Sequence, residues 1–123
     1  MKRALFLAIL LVVSAMPAVA EDPVTVDPKH YKVEFENDQI RVLRITYGPG
    51  EKSVMHEHPA NMAIFLTDVT GRFTLPDGTT QDMEEKAGSV MWDAGGMHLP
   101  ENRGTVRFEL ILVELKNPPA AAK

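Results

Sequence analysis

From His30 to Glu36 the chain alternates. Tyr31, Val33 and Phe35 fall on one side and Lys32, Glu34 and Glu36 on the other, the period of a half-buried strand. Asn37-Asp38 follows, with the residue types that tolerate positive φ in a two-residue hairpin turn, and a second strand is expected from Gln39 to Tyr47, ending at Gly48-Pro49-Gly50. Further punctuation at Thr70-Gly71, Pro76-Asp77-Gly78, Ala87-Gly88 and Gly95-Gly96 separates short β-branched or aromatic runs such as Arg72–Leu75 and Val90–Trp92. Thr105 to Leu115 is the longest run. Val106, Phe108, Leu110 and Leu112 share one face, and Ile111, Val113 and Leu115 make the other apolar as well, as expected between a barrel interior and a second layer. Only Asp82 to Lys86 reads as briefly helical. Many short strands with turn signals between them predict an all-β antiparallel sandwich or barrel, with Trp92 and Tyr31 in its core.

The ends differ from this pattern. Residues 1–20 carry Lys2-Arg3, an unbroken apolar run from Ala4 to Val13 and a small-x-small Ala18-Val19-Ala20, the layout of a cleaved secretory signal. The apolar run is well short of the roughly 20 residues a membrane span requires, so the expected product begins at Glu21 and is periplasmic or secreted, with no membrane attachment after cleavage. The chain has no cysteine, which excludes disulfides and a lipidated N-terminus. Residues 21–29 read as a linker, 30–116 as one domain and 117–123 as a loose tail.

Removing the leader leaves eleven basic against seventeen acidic residues, a net charge of −6. No basic stripe exists to hold phosphates, so nucleic acid is not an expected partner. A domain this small without disulfides has little stability in reserve and leaves strand edges to cover, so a homodimer joined through the N-terminal strands is expected.

His56-Glu57-His58 is the most informative triplet. In a strand, residues i and i+2 point the same way about 6.5 Å apart, so two imidazoles can lean onto one ion at about 2.0–2.1 Å; Pro59 favours that extended backbone by disfavouring a helical His58. Two solvated strand-end histidines are the plain alternative.

Gly50, five intervening residues and then His56-x-His58 resemble the first sequence motif of the cupins. Gly88 through Ala94, Gly96, His98 and Asn102 resemble the second. The resemblance runs from Tyr31 to Lys116 and implies a single antiparallel cupin barrel, a double-stranded β-helix or jelly roll. It also implies one divalent transition metal, Fe, Mn, Zn, Ni or Cu, on His56, His58 and His98. The run Glu109–Lys116, preceded by His98-x-x-Glu101-Asn102, is similar to small single-domain cupins grouped with β-alanine-degradation and quercetinase-like proteins.

Two departures from that pattern matter. The family's usual glutamate ligand would fall at Met62 or Ala63, and Ala94 stands where the second motif has proline, with His98 one residue early. Three histidines and water is then the simplest site.

Met62 is a further candidate ligand, since thioether with imidazole favours copper; as a flexible core filler it needs no such role. One of Arg41 and Arg44 is a candidate to face the interior and pair with an anionic substrate, a surface ion pair being the plainer role for either. Glu101 is a candidate to orient a metal-bound water, and an exposed loop glutamate is its ordinary reading. His30 is expected at the surface. No hydrolase motif or phosphate loop is present. Two functions stay open: a dioxygenase-like or other metal-dependent enzyme acting on a small organic acid, and a non-catalytic periplasmic protein that binds a metal or small ligand.

Overall fold

The structure, a computed structural model, describes residues 21–117; the expected export signal and the last residues of the tail lie outside them. A short helix, α1 (Pro23–Val26), precedes nine strands among the described residues: β1 (Tyr31–Glu36), β2 (Ile40–Tyr47), β3 (His56–His58), β4 (Asn61–Phe65), β5 (Val69–Thr74), β6 (Thr80–Glu85), β7 (Val90–Asp93), β8 (Gly96–Asn102) and β9 (Phe108–Leu115). They form two antiparallel sheets, β1-β2-β9-β4-β7 and β3-β8-β5-β6, as expected for a jelly roll. No helix among the described residues is long and apolar enough to cross a membrane.

Period-two alternation places the core. Leu43, Ile45 and Tyr47 of β2, Ala63 and Phe65 of β4, and Phe108 and Leu112 of β9 point inward and join Tyr31 and Val69 in one buried cluster. Within the five-stranded sheet the register stacks these inner residues in rows. Leu43, Leu112, Ala63 and Met91 form one, and next to it runs a polar one, Arg41, Glu114, Asn61 and Asp93.

Several expectations need correcting. The turn after β1 uses no positive φ, since every residue in that region of φ is a glycine. Instead the Asn37 side-chain oxygen accepts hydrogen bonds from the backbone N–H groups of Gln39 (2.8 Å) and Ile40 (2.9 Å), which closes a three-residue link without strain. Asp82–Lys86 is not helical, because a single turn cannot meet the cost of helix nucleation while β6 pairs with β5 along its whole length.

Trp92 is not core but 55% exposed: β7 turns Met91 and Asp93 inward, so Val90 and Trp92 must face out. Val33 and Phe35 are exposed too, because β1 is an edge strand whose register shifts between them, a bulge that moves Phe35 into line with the outward Val42. Val106 lies outside β9 and is exposed. The lead-in 21–29 packs on the barrel. Pro23 and Asp27 are buried, the Asp22 carboxylate caps α1, and the Glu57 N–H donates to the Glu21 carbonyl.

On the outer face of the five-stranded sheet, cross-strand partners form an apolar row over all five strands: Phe35, Val42, Val113, Met62 and Trp92.

Candidate metal centre

The three histidines come from two neighbouring strands. In β3 the alternation turns His56 and His58 inward and Glu57 outward, and pairing with β8 sets His98 directly opposite His56. Ring centroids lie 4.8 Å (His56–His58), 4.9 Å (His56–His98) and 5.1 Å (His58–His98) apart, and one ring nitrogen from each falls within 4.8 Å of the others. Gly95 lets the backbone after His58 lie close against the start of β8. Its φ is +93°, and a Cβ there would lie 2.7 Å from the His58 carbonyl oxygen.

Hydrogen bonding on the far side of the rings sets the tautomers. His56 Nδ1 is 2.8 Å from the Val54 carbonyl oxygen and His58 Nδ1 is 3.1 Å from Glu114 Oε2. Both acceptors require a proton on Nδ1, so that in the neutral ring it is Nε2 whose lone pair is directed at the common centre. Those two Nε2 atoms are 3.1 Å apart. Neutral rings in these tautomers repel one another there unless a positive charge lies between them. His98 Nε2 is buried without any hydrogen-bond partner, a costly state for a polar atom. Phe73 stacks on the His98 ring, with centroids 4.6 Å apart. Burial, followed by the neighbouring His58, lowers the His56 pKa to about 4; burial, followed by His58 and His56, lowers that of His98 to about 3. Both are therefore neutral near pH 7, the form that ligates metal. Converging lone pairs, an orphaned nitrogen and neutral rings are what a divalent transition ion requires.

Glu114 belongs to this centre although the metal motifs do not point to it. It is 1% exposed, accepts the His58 Nδ1–H on Oε2 and accepts Arg41 Nε–H on Oε1 at 2.7 Å. Burial opposes its charge, but the hydrogen bonds from His58 and Arg41 outweigh it and hold the carboxyl below its ordinary pKa. The signal was present in β9: in the inward series Phe108, Leu110, Leu112, Glu114 the last member is charged, and a charge on an interior face needs a partner.

Arg41, a candidate for an anionic substrate, is that partner, and its guanidinium also meets Asp22 at 2.8 Å. Arg44 faces outward and pairs with Glu34 and Glu109. Glu101 alternates with the buried Pro100 and Asn102 of β8, so it points away from His98, toward Arg103 at 3.2 Å. Met62 lies on the outer face of β4, because Asn61 and Ala63 take the inner one. The structure thus unites His56, His58 and His98 and sets Met62, Arg44 and Glu101 apart from them.

His30 is 5% exposed rather than at the surface. Asp27 Oδ2 (2.7 Å) and Glu51 Oε2 (2.9 Å) hold its two ring nitrogens, and it stacks on Tyr47 at 4.2 Å. Ser53 Oγ donates to the same Asp27 oxygen at 2.6 Å. The packed lead-in explains the burial: Asp27 comes from the segment expected to be loose.

His58 and His98 open onto a cavity of about 170 Å³. Its wall is mainly apolar, with Phe65, Phe73, Leu112 and Met91 prominent; its polar lining comprises the Tyr31–Tyr47 hydroxyl pair (2.7 Å apart), Asn61, Gln81 and Asp93 besides the histidines. No Lys or Arg among the described residues lines it.

Comparison with solved structures identifies the fold. The chain is similar to a cupin domain from Bordetella pertussis, with TM-score 0.66 and 19% identity over 71% of this chain and 92% of that one. It also resembles an RmlC-like cupin family protein with a double-stranded β-helix fold from Methanocaldococcus jannaschii, with TM-score 0.55 and 19% identity over 72% and 83% of the two chains. A third match is an uncharacterized conserved protein with a double-stranded β-helix domain from Klebsiella pneumoniae, with TM-score 0.57 and 21% identity over 75% and 78%. No protein-family profile and no curated protein sequence matches the chain.

Proposed function

We propose that this chain, whose fold is that of the cupins, holds one divalent transition metal on His56, His58 and His98 and works as a metal-dependent enzyme on a small molecule admitted to the barrel. The observation that carries the reading is His98 Nε2, buried and partnerless beside the two facing Nε2 atoms of His56 and His58. An ion there would supply Lewis acidity or redox chemistry to an oxygen donor at its open positions. The chain's own part is to fix the rings through Val54 and Glu114, to keep water out with the apolar wall, and to orient the ligand with the few polar groups that reach the cavity. An all-imidazole donor set suits Zn, Cu, Fe or Ni, and with Met62 on the outer face the thioether argument for copper lapses.

A non-catalytic binding protein is the second reading, favoured by the poverty of proton-transfer groups: Asp93 is the sole carboxylate lining the cavity among the described residues. Elemental analysis of protein exported by its own leader, followed by oxygen-uptake and product assays with phenolic and carboxylate candidates, tests both. Bound metal with turnover supports the enzyme, bound metal without turnover the binder, and protein that takes up no transition metal overturns the proposal.

Export to the periplasm and assembly as a homodimer belong to the same proposal. Export rests on the leader pattern in residues 1–20. Dimerisation is supported by the apolar row from Phe35 to Trp92, whose two aromatic ends are about half exposed, a surface that a second copy of this chain would cover.

A further inference from the structure

Two of the cavity's polar groups are neighbours on the five-stranded sheet. Asn61 and Asp93 are direct cross-strand partners of β4 and β7, and Asn61 also faces Glu114 across the ladder to β9. Asp93 Oδ1 accepts the Gly95 N–H at 2.6 Å, and its second oxygen has no partner among the described residues. Asn61 is 4% exposed; its Nδ2 donates to the Pro59 carbonyl at 2.9 Å, which leaves its amide oxygen likewise without a donor. Asn61 and Asp93 both line the cavity, each with an oxygen free of any donor among the described residues, and no cation of the lining balances them. The nearest member of the same row with positive charge, Arg41, is engaged by Glu114 and Asp22 and does not line the cavity.

We propose that this acceptor pair is a specificity site for the donor end of a compact ligand, an ammonium in preference to a hydroxyl, carried on an apolar body. The inference deepens the reading of the barrel as a ligand site and replaces the small organic acid expected from sequence with a small amine or amino alcohol. Two physical terms set the class. A ligand ammonium regains in charge-assisted hydrogen bonds to Asp93 and Asn61 what it loses on leaving water, whereas a carboxylate placed there finds only acceptors. The volume of about 170 Å³ lies below the usual range for drug-sized ligands, about 300–1,000 Å³, so the body is no larger than a single ring or a short branched chain.

The test uses three probes of matched size, benzylamine, benzyl alcohol and benzoate. They are titrated calorimetrically into the full exported chain after chelator treatment, so that the charge of an ion does not enter the comparison, with the methionine methyl resonances followed in parallel. Benzylamine is expected to bind at least about tenfold more tightly than benzoate, shifting the methyls of Met83 and Met91, which line the cavity and pack against the core, and not that of Met62. Asp93→Asn should weaken benzylamine about tenfold and leave benzyl alcohol within about twofold, while Asp93→Glu, which keeps the charge, should retain the preference for the amine. Benzoate binding as tightly as benzylamine, an unchanged amine affinity in Asp93→Asn, or no cavity-methyl shift with any probe would overturn the proposal. Zinc uptake, measured separately against a chromophoric chelator, reports on the metal reading alone. A chain that takes no zinc but prefers the amine loses the first reading and keeps this one, and the reverse result does the opposite.

Discussion

The Nδ1–H of His58 meets Glu114 Oε2 at 3.1 Å, joining a metal-motif residue on the small sheet to a carboxylate 56 positions along the chain on the large one. Glu114→Gln keeps the volume and one acceptor but removes the charge that stabilises the ring's orientation and basicity. Metal affinity should fall by about 10–100-fold, the range seen when such supporting groups are lost, in competition titrations with zinc. Glu114→Ala, which also leaves Arg41 without its buried partner, should cost in addition about 3 kcal/mol of stability in urea unfolding.

His98 separates a metal site from a structural histidine cluster. Its orphaned Nε2 burdens the metal-free fold, so His98→Leu should unfold at higher denaturant than the metal-free parent, a gain of about 1–3 kcal/mol, and at the same time lose metal binding. A loss of stability in that variant would mean that the ring is satisfied by something other than an ion. His30→Ala should leave metal affinity nearly intact while lowering stability, since His30 packs on Tyr47 and bridges Asp27 and Glu51 without joining the centre.

Acid should destabilise the metal-free protein earlier than its carboxylates alone would predict. His56 and His98 titrate near 4 and 3 when folded but near 6.5 when unfolded. Between those limits the unfolded chain binds more protons, so stability is fullest above about pH 6.5 and declines as the pH drops toward 4. Glu114, whose folded pKa is depressed, extends the loss to lower pH. Thermal melts from pH 7.5 to 4 should show Tm falling steadily, and His98→Leu should flatten that slope.

Light scattering at micromolar concentration should give a dimer. Trp92→Glu and Phe35→Glu, at opposite ends of the outer apolar row, should each shift it toward monomer while leaving zinc affinity unchanged, because both side chains face away from the cavity. A monomeric parent protein would remove the dimer from the proposal.

Met62→Leu should bind Cu(I) as the parent does. Its side chain sits between Val113 and Trp92 on the outside of the sheet, and no ligand set that includes His56, His58 and His98 reaches it there.

Much of this protein was legible without coordinates. Period-two alternation in β2 and β9, turn residues between short runs, and His56-x-His58 in an extended segment are local signals: each depends on residues within a few positions, where backbone geometry alone decides which way a side chain points. The first two yielded the all-β class and the last paired His56 with His58, whereas His98 came only from the resemblance to the second cupin motif. Where the sequence reading failed, the deciding partner was distant. Trp92 looked like core because its size argues for burial, but the pairing of β7 with β4 sets Met91 beside the inward Ala63 and Trp92 beside the outward Met62. Arg41 and Arg44 could not be told apart along a strand apolar on both faces, and that Glu114 and Asp22 claim the Arg41 guanidinium depends on strand order. His30 is buried because residues 21–29, patternless by themselves, pack on the barrel and bring Asp27 to its ring. Charge placed on an interior face is visible in one strand. Which countercharge answers it, and therefore what the cavity has left to offer a ligand, is set by the ladder between strands, and a linear sequence does not contain that pairing in any local form.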